Sequence, residues 1–304
     1  MYFRRMKFLL VMLFAAVLFS CSKKGSGFND SSSFNANVEA QTNDQVRIST
    51  TIDAIFNDVD SVLANPVNLC EANVSVDSVD SPRSITIYYN GAGCGFLLYH
   101  QGTITISYPP GNDWTMPLDT VLVTLKNVVI NTPPDTSGLV FNGSCYYTNV
   151  SGGSLSGLTS GGVSPVIHSI TGINISVAYN YYWPSTWQIA RQRSYTNNGG
   201  LVISTIGMDS VGGYAGVAEW GGNRFGNSVI TAVDSPLTIT QGCSWRLTSG
   251  KIQLYNPVGI TSMIYGLDST GVATGCPDGG SPYYYKLAWT GSGQNPYTMV
   301  LPYP

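Results

Sequence analysis

Charge is what this chain has least of. Asp, Glu, Lys and Arg make up 10% of its 304 residues; the only histidines are His100 and His168, and the only glutamates Glu39, Glu71 and Glu219. No Cys-x-x-Cys spacing occurs, and neither Asp58/Asp60 nor Asp77/Asp80 continues into the D-x-D-x-D-G order of a calcium loop, so no metal site is expected. The G-x-S-x-G turn of serine hydrolases is also missing. Glycoside hydrolysis needs two facing carboxylates, and the best that remains is Glu219 with Asp209, a distant third reading. These gaps point to a non-enzymatic protein without cofactor.

Helix-forming sequence is scarce as well. One stretch repeats at helical spacing: Ile48, Ile52, Ile55, Phe56, Val59, Val62 and Leu63 form a stripe, with Asp53, Asn57, Asp58 and Asp60 off it. Thr42, Asn43 or Asp44 can cap its start and Asn65-Pro66 ends it, which predicts an amphipathic helix over 44–65. Its apolar face needs a sheet to cover.

Beyond that helix the chain is strand after strand. Ile85/Ile87/Tyr89, Ile104/Ile106/Tyr108, Val121/Val123/Leu125/Val129, Ile173/Ile175/Val177/Tyr179 and Tyr283/Tyr285/Leu287/Trp289 alternate with mostly polar neighbours. Such alternation marks antiparallel sheets with one dry face. Asn90-Gly91, Asn142-Gly143 and Asn198-Gly199 are hairpin-type turn signals. The fold class is therefore all-β: a large antiparallel meander forming a sandwich or a partly open roll, with the N-terminal helix packed on a sheet. A single domain over 66–304 is favoured over two.

The N-terminus has its own logic. Arg4, Arg5 and Lys7 precede an apolar run from Phe8 to Phe19, shorter than the roughly 20 residues that span a bilayer and of the length of a secretion signal. Leu18-Phe19-Ser20-Cys21 resembles the lipobox of bacterial lipoproteins, although Phe19 is bulkier than is usual there. That resemblance implies removal of residues 1–20, acylation of Cys21 and a stable membrane anchor. Ser22 after the cysteine implies the outer membrane. Residues 21–43, rich in Ser, Gly, Asn and Lys, read as a flexible tether. Cleavage removes three of 14 basic residues and none of the 17 acidic ones, leaving a net charge of −6 and arguing against a nucleic-acid partner.

With Cys21 at the membrane, five cysteines remain, in a compartment that permits disulfides. A hairpin turning at Asp80-Ser81-Pro82-Arg83 sets Cys70 almost opposite Cys94. Cys243 and Cys276 form a second candidate pair, a few residues out of symmetry about a turn near Asn256-Pro257, and Cys145 is the candidate free thiol. The order Cys70, Asn90-Gly91-Ala92-Gly93-Cys94, Gly102-Thr103-Ile104, Gly242-Cys243-Ser244-Trp245 and Gly275-Cys276-Pro277-Asp278 resembles a group of uncharacterised Bacteroidota lipoproteins with a β-rich body. The last segment departs from the Asp-Gly-x-Cys-Asp-like turn of that pattern. The resemblance implies a class and an address and no activity.

Aromatic residues crowd one region. Trp183 and Trp187, with Trp220 further on, stand near Arg191 and Arg193, the composition of a glycan-binding platform. Core packing is the favoured explanation for these rings, with the ligand platform as the alternative. By strand parity Trp187, Arg191, Arg193 and Tyr195 share one face, and two arginines predict that this face is wet. The expected partners are thus the membrane through acylated Cys21 and a glycan or an envelope protein.

Overall fold

A computed structural model describes residues 31–67, 69, 72–78, 83–91, 99–112, 114–131, 138–161, 165–179, 183–243, 245–257, 259–276, 282–291 and 296–303. The chain divides into two units, Met1–Ala40 and Gln41–Pro304. The described part of the first is helical, Ser31 to Ala40.

Among the described residues the second unit holds the remainder of the long helix α1 (Ser31–Ala64), a short helix α2 (Leu155–Thr159) and fifteen strands. The strands are β1 (Ala72–Asp77), β2 (Ser84–Asn90), β3 (Tyr99–Ser107), β4 (Asp119–Asn131), β5 (Leu139–Asn149), β6 (Val166–Tyr179), β7 (Trp183–Asn197), β8 (Leu201–Gly207), β9 (Asp209–Val211), β10 (Tyr214–Gly222), β11 (Ser228–Thr240), β12 (Arg246–Asn256), β13 (Gly259–Leu267), β14 (Tyr283–Thr290) and β15 (Tyr297–Tyr303). All belong to one antiparallel sheet that follows chain order from β1 to β7, then β10 to β15. The expected meander is present, built as a single hydrogen-bonded path.

The expected inward rows are buried: Ile85, Ile87 and Tyr89; Ile104 and Ile106; Val121, Val123 and Leu125; Tyr283, Tyr285, Leu287 and Trp289. Ile173 is the exception, 63% exposed. The pairing of β6 with β7 slips between Gly172 and Ile175, where Asn174 takes a φ of 59°. One extra residue there turns Ile173 outward, as a bulge must. Asn142-Gly143 likewise makes no hairpin. It lies inside β5 at another slip, with the Asn142 carboxamide oxygen accepting from the Asn127 amide. Asn198-Gly199 does turn, between β7 and β8.

The slot between β7 and β11 is shared by two strands. β8 pairs with one half of each neighbour and β10 with the other. Between them the chain leaves the sheet as the β9–β10 hairpin and returns through a tight neck, where a Cβ on Gly207 would lie 2.0 Å from the Gly216 carbonyl oxygen. The hairpin tip is Gly212-Gly213, with φ of 60° and 86°, conformations that favour glycine.

α1 begins at Ser31 rather than Asp44, so residues 31–43 of the expected tether are helical. No Gly or Pro interrupts the chain from Phe28 to Asn65, and Thr42, Asn43 and Asp44 sit inside the helix instead of capping it. The C-terminal end, Ala64 before Asn65-Pro66, is where the sequence places it.

The partners of α1 define its direction over the sheet. Tyr285 of β14 donates to Asn43, Glu219 of β10 accepts from Gln45 and Ser49, Arg191 of β7 reaches Asp53, and Tyr89 of β2 donates to Asp58. The helix therefore runs across the strands. From β2 to β14 there are ten inter-strand steps, about 48 Å on a flat sheet. The helix rises only about 22 Å between the residues that touch those two strands. Within the second unit the sheet must therefore curve around the helix to meet it at both ends, a partly open roll with the Gln41–Ala64 part of α1 in its concavity.

Candidate functional site

The concave face is where the sequence expectation fails most instructively. Trp187, Arg191, Arg193 and Tyr195 do share a face of β7, but that face is dry: all four are at most 1% exposed. The arginines lie under α1, because the helix turns its off-stripe acids, and not only its apolar stripe, toward the sheet. Trp187 packs against Gly221, where a Cβ would meet the indole at 2.6 Å, and its Nε1 donates to Ser185 Oγ. Trp220 pairs with Gln188 and so lies on the opposite, convex face, half-buried. Trp183 opens β7, and its side chain lies outside the described residues. The alternative platform is split between two faces, with Trp187 and both cations used in packing, as the core reading of these rings has it.

Two buried polar clusters hold the helix. In the first, Glu219 is fully enclosed: its Oε2 accepts from Arg191 Nε at 2.8 Å and from Nη2, while Oε1 accepts from Gln45 and from Ser49 Oγ at 2.6 Å. Arg191 Nη1 also reaches Asp53 at 3.1 Å. In the second, Asp60 accepts from Tyr147 and Tyr195 and pairs with Arg193, and Arg193 also donates to Asn57. His168 completes it, with Nδ1 2.7 Å from the Tyr147 hydroxyl and 3.1 Å from Asp60. Trp114 stacks on Tyr147 and leans on His168.

The electrostatics follow from burial opposed by partners. Burial alone would raise the Asp60 pKa, but the His168 hydrogen bond and the Arg193 charge hold it below its ordinary value. Burial and the Asp60 charge push the Tyr147 phenol well above its usual range, so it stays a donor. Burial also raises Tyr195, reinforced by Asp60 and partly opposed by Arg193. The clusters are thus stable pairs and donors, buried but for the partly exposed Asp53 and Asn57, and what they accomplish is docking of the helix.

The carboxylates considered for hydrolysis are kept apart. Glu219 faces inward, whereas Asp209 starts β9 in the exposed hairpin, where it accepts from the Ser210 amide. Among the described residues no group of three His, Cys, Asp or Glu side chains is placed to hold a metal ion. No helix among them is long and apolar enough to cross a membrane.

Cys243 and Cys276 are joined, with Cα atoms 5.1 Å apart, inside the disulfide range. The asymmetry noted in the sequence is absorbed by a small reversal after β13. Leu267 bridges to Ala273, and Asp268 Oδ1 accepts from the Thr270 and Val272 amides, which returns the chain toward Cys243. Cys145 is unpaired and buried. The β1–β2 hairpin pairs Ala72 with Tyr89 and Asp77 with Ser84, while Cys21, Cys70 and Cys94 lie outside the described residues.

One surface feature was not anticipated. The β9–β10 hairpin tip brings Tyr214 onto Tyr255 of β12, rings stacked with centroids 3.6 Å apart. This pair borders an open depression of about 460 Å³, lined further by Asn256, Pro257, Ile260 and Thr290. Tyr255, Ile260 and Thr290 are directly paired across β12, β13 and β14, so they form one row on the convex face. Sequence alone carried part of the signal: Gly212-Gly213-Tyr214 is a hairpin tip, and Asn256-Pro257 through Gly259 a turn. Neither says that the two meet.

No protein-family model, no curated protein and no solved structure matches this chain.

Proposed function

We propose that the protein is a non-enzymatic, lipid-anchored component of the bacterial cell envelope, held at the outer membrane through acylated Cys21, whose β body serves a binding or structural role. The observation that carries this reading is the use made of scarce charge. The groups that acid–base or nucleophilic chemistry would need, Glu219, Asp60, His168, Arg191 and Arg193, are at most 4% exposed and are spent on fixing α1 in the sheet. The helix that follows the anchoring segment is thereby locked to the body, which suits a protein that must stay attached. The net negative charge of the mature chain speaks against nucleic acid.

The test is metabolic labelling with an alkyne-tagged palmitate followed by detergent phase partition of the cell extract. Wild-type protein is expected to carry label and enter the detergent phase, and Cys21→Ser to lose both properties. Label retained in the Cys21→Ser variant would refute the anchor.

A second reading, a glycan-binding surface lipoprotein, is favoured by one feature: the uncharged depression beside the Tyr214/Tyr255 stack.

A further inference from the structure

We infer that the depression bounded by Tyr214 and Tyr255 is a binding site for a neutral carbohydrate. This rests on the glycan-binding reading and moves its site from the expected tryptophans to the tip of the β9–β10 hairpin.

The ligand class follows from the lining. The opening of about 460 Å³ falls within the roughly 300–1,000 Å³ of small-molecule sites. Its wall is aromatic and its floor is Ile260, 40% exposed, followed by the exposed Thr290 hydroxyl. Sugars present apolar C–H faces edged by hydroxyls, and an aromatic ring beside neutral hydrogen-bonding groups matches both parts. Among the described residues no charged side chain lines the depression. On β11 and β12 the charges of Asp234 and Lys251 are joined in an ion pair, and Gln253 Nε2 donates to Asp234. A uronate or a phosphate would find no cation among the described lining residues, in a chain that is already acidic.

The walls of the site are fixed by their own contacts. Gly212 and Gly213 set the hairpin tip, and a Cβ on Gly212 would lie 3.3 Å from Ile230 on β11, so the tip rests on the sheet. The Tyr255 hydroxyl donates to Gln253 at 2.7 Å, and Asn256 Oδ1 accepts from the Gly259 amide at 3.0 Å, which fixes the opposite turn. A rigid aromatic wall loses little conformational freedom on binding.

The experiment is affinity electrophoresis of the full-length, detergent-extracted protein through gels containing starch, mannan, xylan, hydroxyethyl cellulose or, as the anionic comparison, alginate. Retardation by at least one neutral polymer is expected. Tyr214→Ala should weaken it by about tenfold, equivalent to about 1.4 kcal/mol, and Tyr214→Phe should preserve it, since the ring rather than the hydroxyl forms the wall. Ile260→Asp, which places a charge on the floor, should weaken it as well, and supplies the readout if Tyr214→Ala does not keep the wild-type urea midpoint. Retardation that survives both Tyr214→Ala and Ile260→Asp overturns this site while leaving the glycan-binding reading intact. Retardation by alginate alone overturns the neutral class, and none in any gel overturns site and reading together.

Discussion

Replacing Arg191 by Met is the most direct probe of how α1 is held. In the native protein Glu219 is at 0% exposure and its charge is balanced by Arg191, with Gln45 and Ser49 as neutral donors. Arg191→Met keeps much of the side-chain volume but strands a buried carboxylate. Removal of one partner from a buried pair costs about 3–5 kcal/mol. Asp53 also loses Arg191, but its side chain is 13% exposed and partly hydrated, so its share is smaller. The double variant Arg191→Met/Glu219→Gln has no buried charge left at this point, and the carboxamide it introduces can still accept from Ser49. It should recover most of the loss and lie within about 2 kcal/mol of wild type, because a buried pair contributes little net stability over neutral packing. With Glu219→Gln as the second single variant, urea unfolding followed by tryptophan fluorescence gives the four free energies, and the cycle gives the coupling. A cost below about 1 kcal/mol for Arg191→Met would refute the reasoning, because that is the scale of an exposed pair. So would a double variant as unstable as Arg191→Met alone.

Two further outcomes follow from the same interior. Asp60 has a folded pKa held below 3.8, so it contributes stability that is complete above that value and lost as pH falls through the depressed folded pKa. Asp60→Asn should therefore be less stable than wild type by about 3–5 kcal/mol at pH 7, and urea midpoints should show the gap narrowing once pH drops below 3.8; a constant gap contradicts the linkage. Burial pushes the Cys145 thiol up to about 12, and a Cβ on Gly172 would lie 2.8 Å from its sulfur. Iodoacetamide at pH 8 should leave Cys145 unmodified in the native protein and alkylate it in urea, as read by peptide mass; rapid native alkylation would contradict the packing.

How much of this was legible depends on the distance over which each feature is decided. The strand faces are local: Ile104/Ile106 and Tyr283/Tyr285/Leu287/Trp289 read correctly because alternation over a few residues fixes which side is dry. The apolar stripe of α1 read correctly for the same reason. Its start did not, since Ser31 to Asn43 has neither a strong periodicity nor a breaker. Asn142-Gly143 and Ile173 failed because a bulge in one strand depends on what the neighbouring strands offer, and that lies in other parts of the chain. The wet face expected for Arg191 and Arg193 failed for the most distant reason, while the packing of Trp187 is what its composition favoured. Arg191 and Arg193 look solvent-seeking until Asp53, Asn57 and Asp60, more than a hundred residues earlier, are laid over them. The low charge content was the available hint: in a chain this poor in ionisable residues, two arginines spaced i, i+2 among Trp, Ile and Tyr belong to an interior arrangement more readily than to a surface.

The polar clusters also explain why α1 takes one position in the roll. Its apolar residues alone do not specify that position. Ile48, Ile52, Ile55, Phe56 and Val59 recur at each turn, so sliding the helix by one turn, about 5.4 Å, would still set apolar against apolar. The polar partners do not recur. Gln45 and Ser49 supply donors to Glu219, Asp53 supplies an acceptor to Arg191, and Asp60 must find both Arg193 and the two phenols of Tyr147 and Tyr195. A slip that moved Asp53 onto Glu219 would juxtapose two buried carboxylates, and the helix would lose the partner set of Asp60 in the same step. Each misplacement leaves a charge buried without compensation, at several kcal/mol apiece. The pairs therefore act against the wrong registers more than they add to the right one. That division of labour fits a helix whose stripe is apolar enough to bury anywhere along the groove, and whose charges permit it in one place.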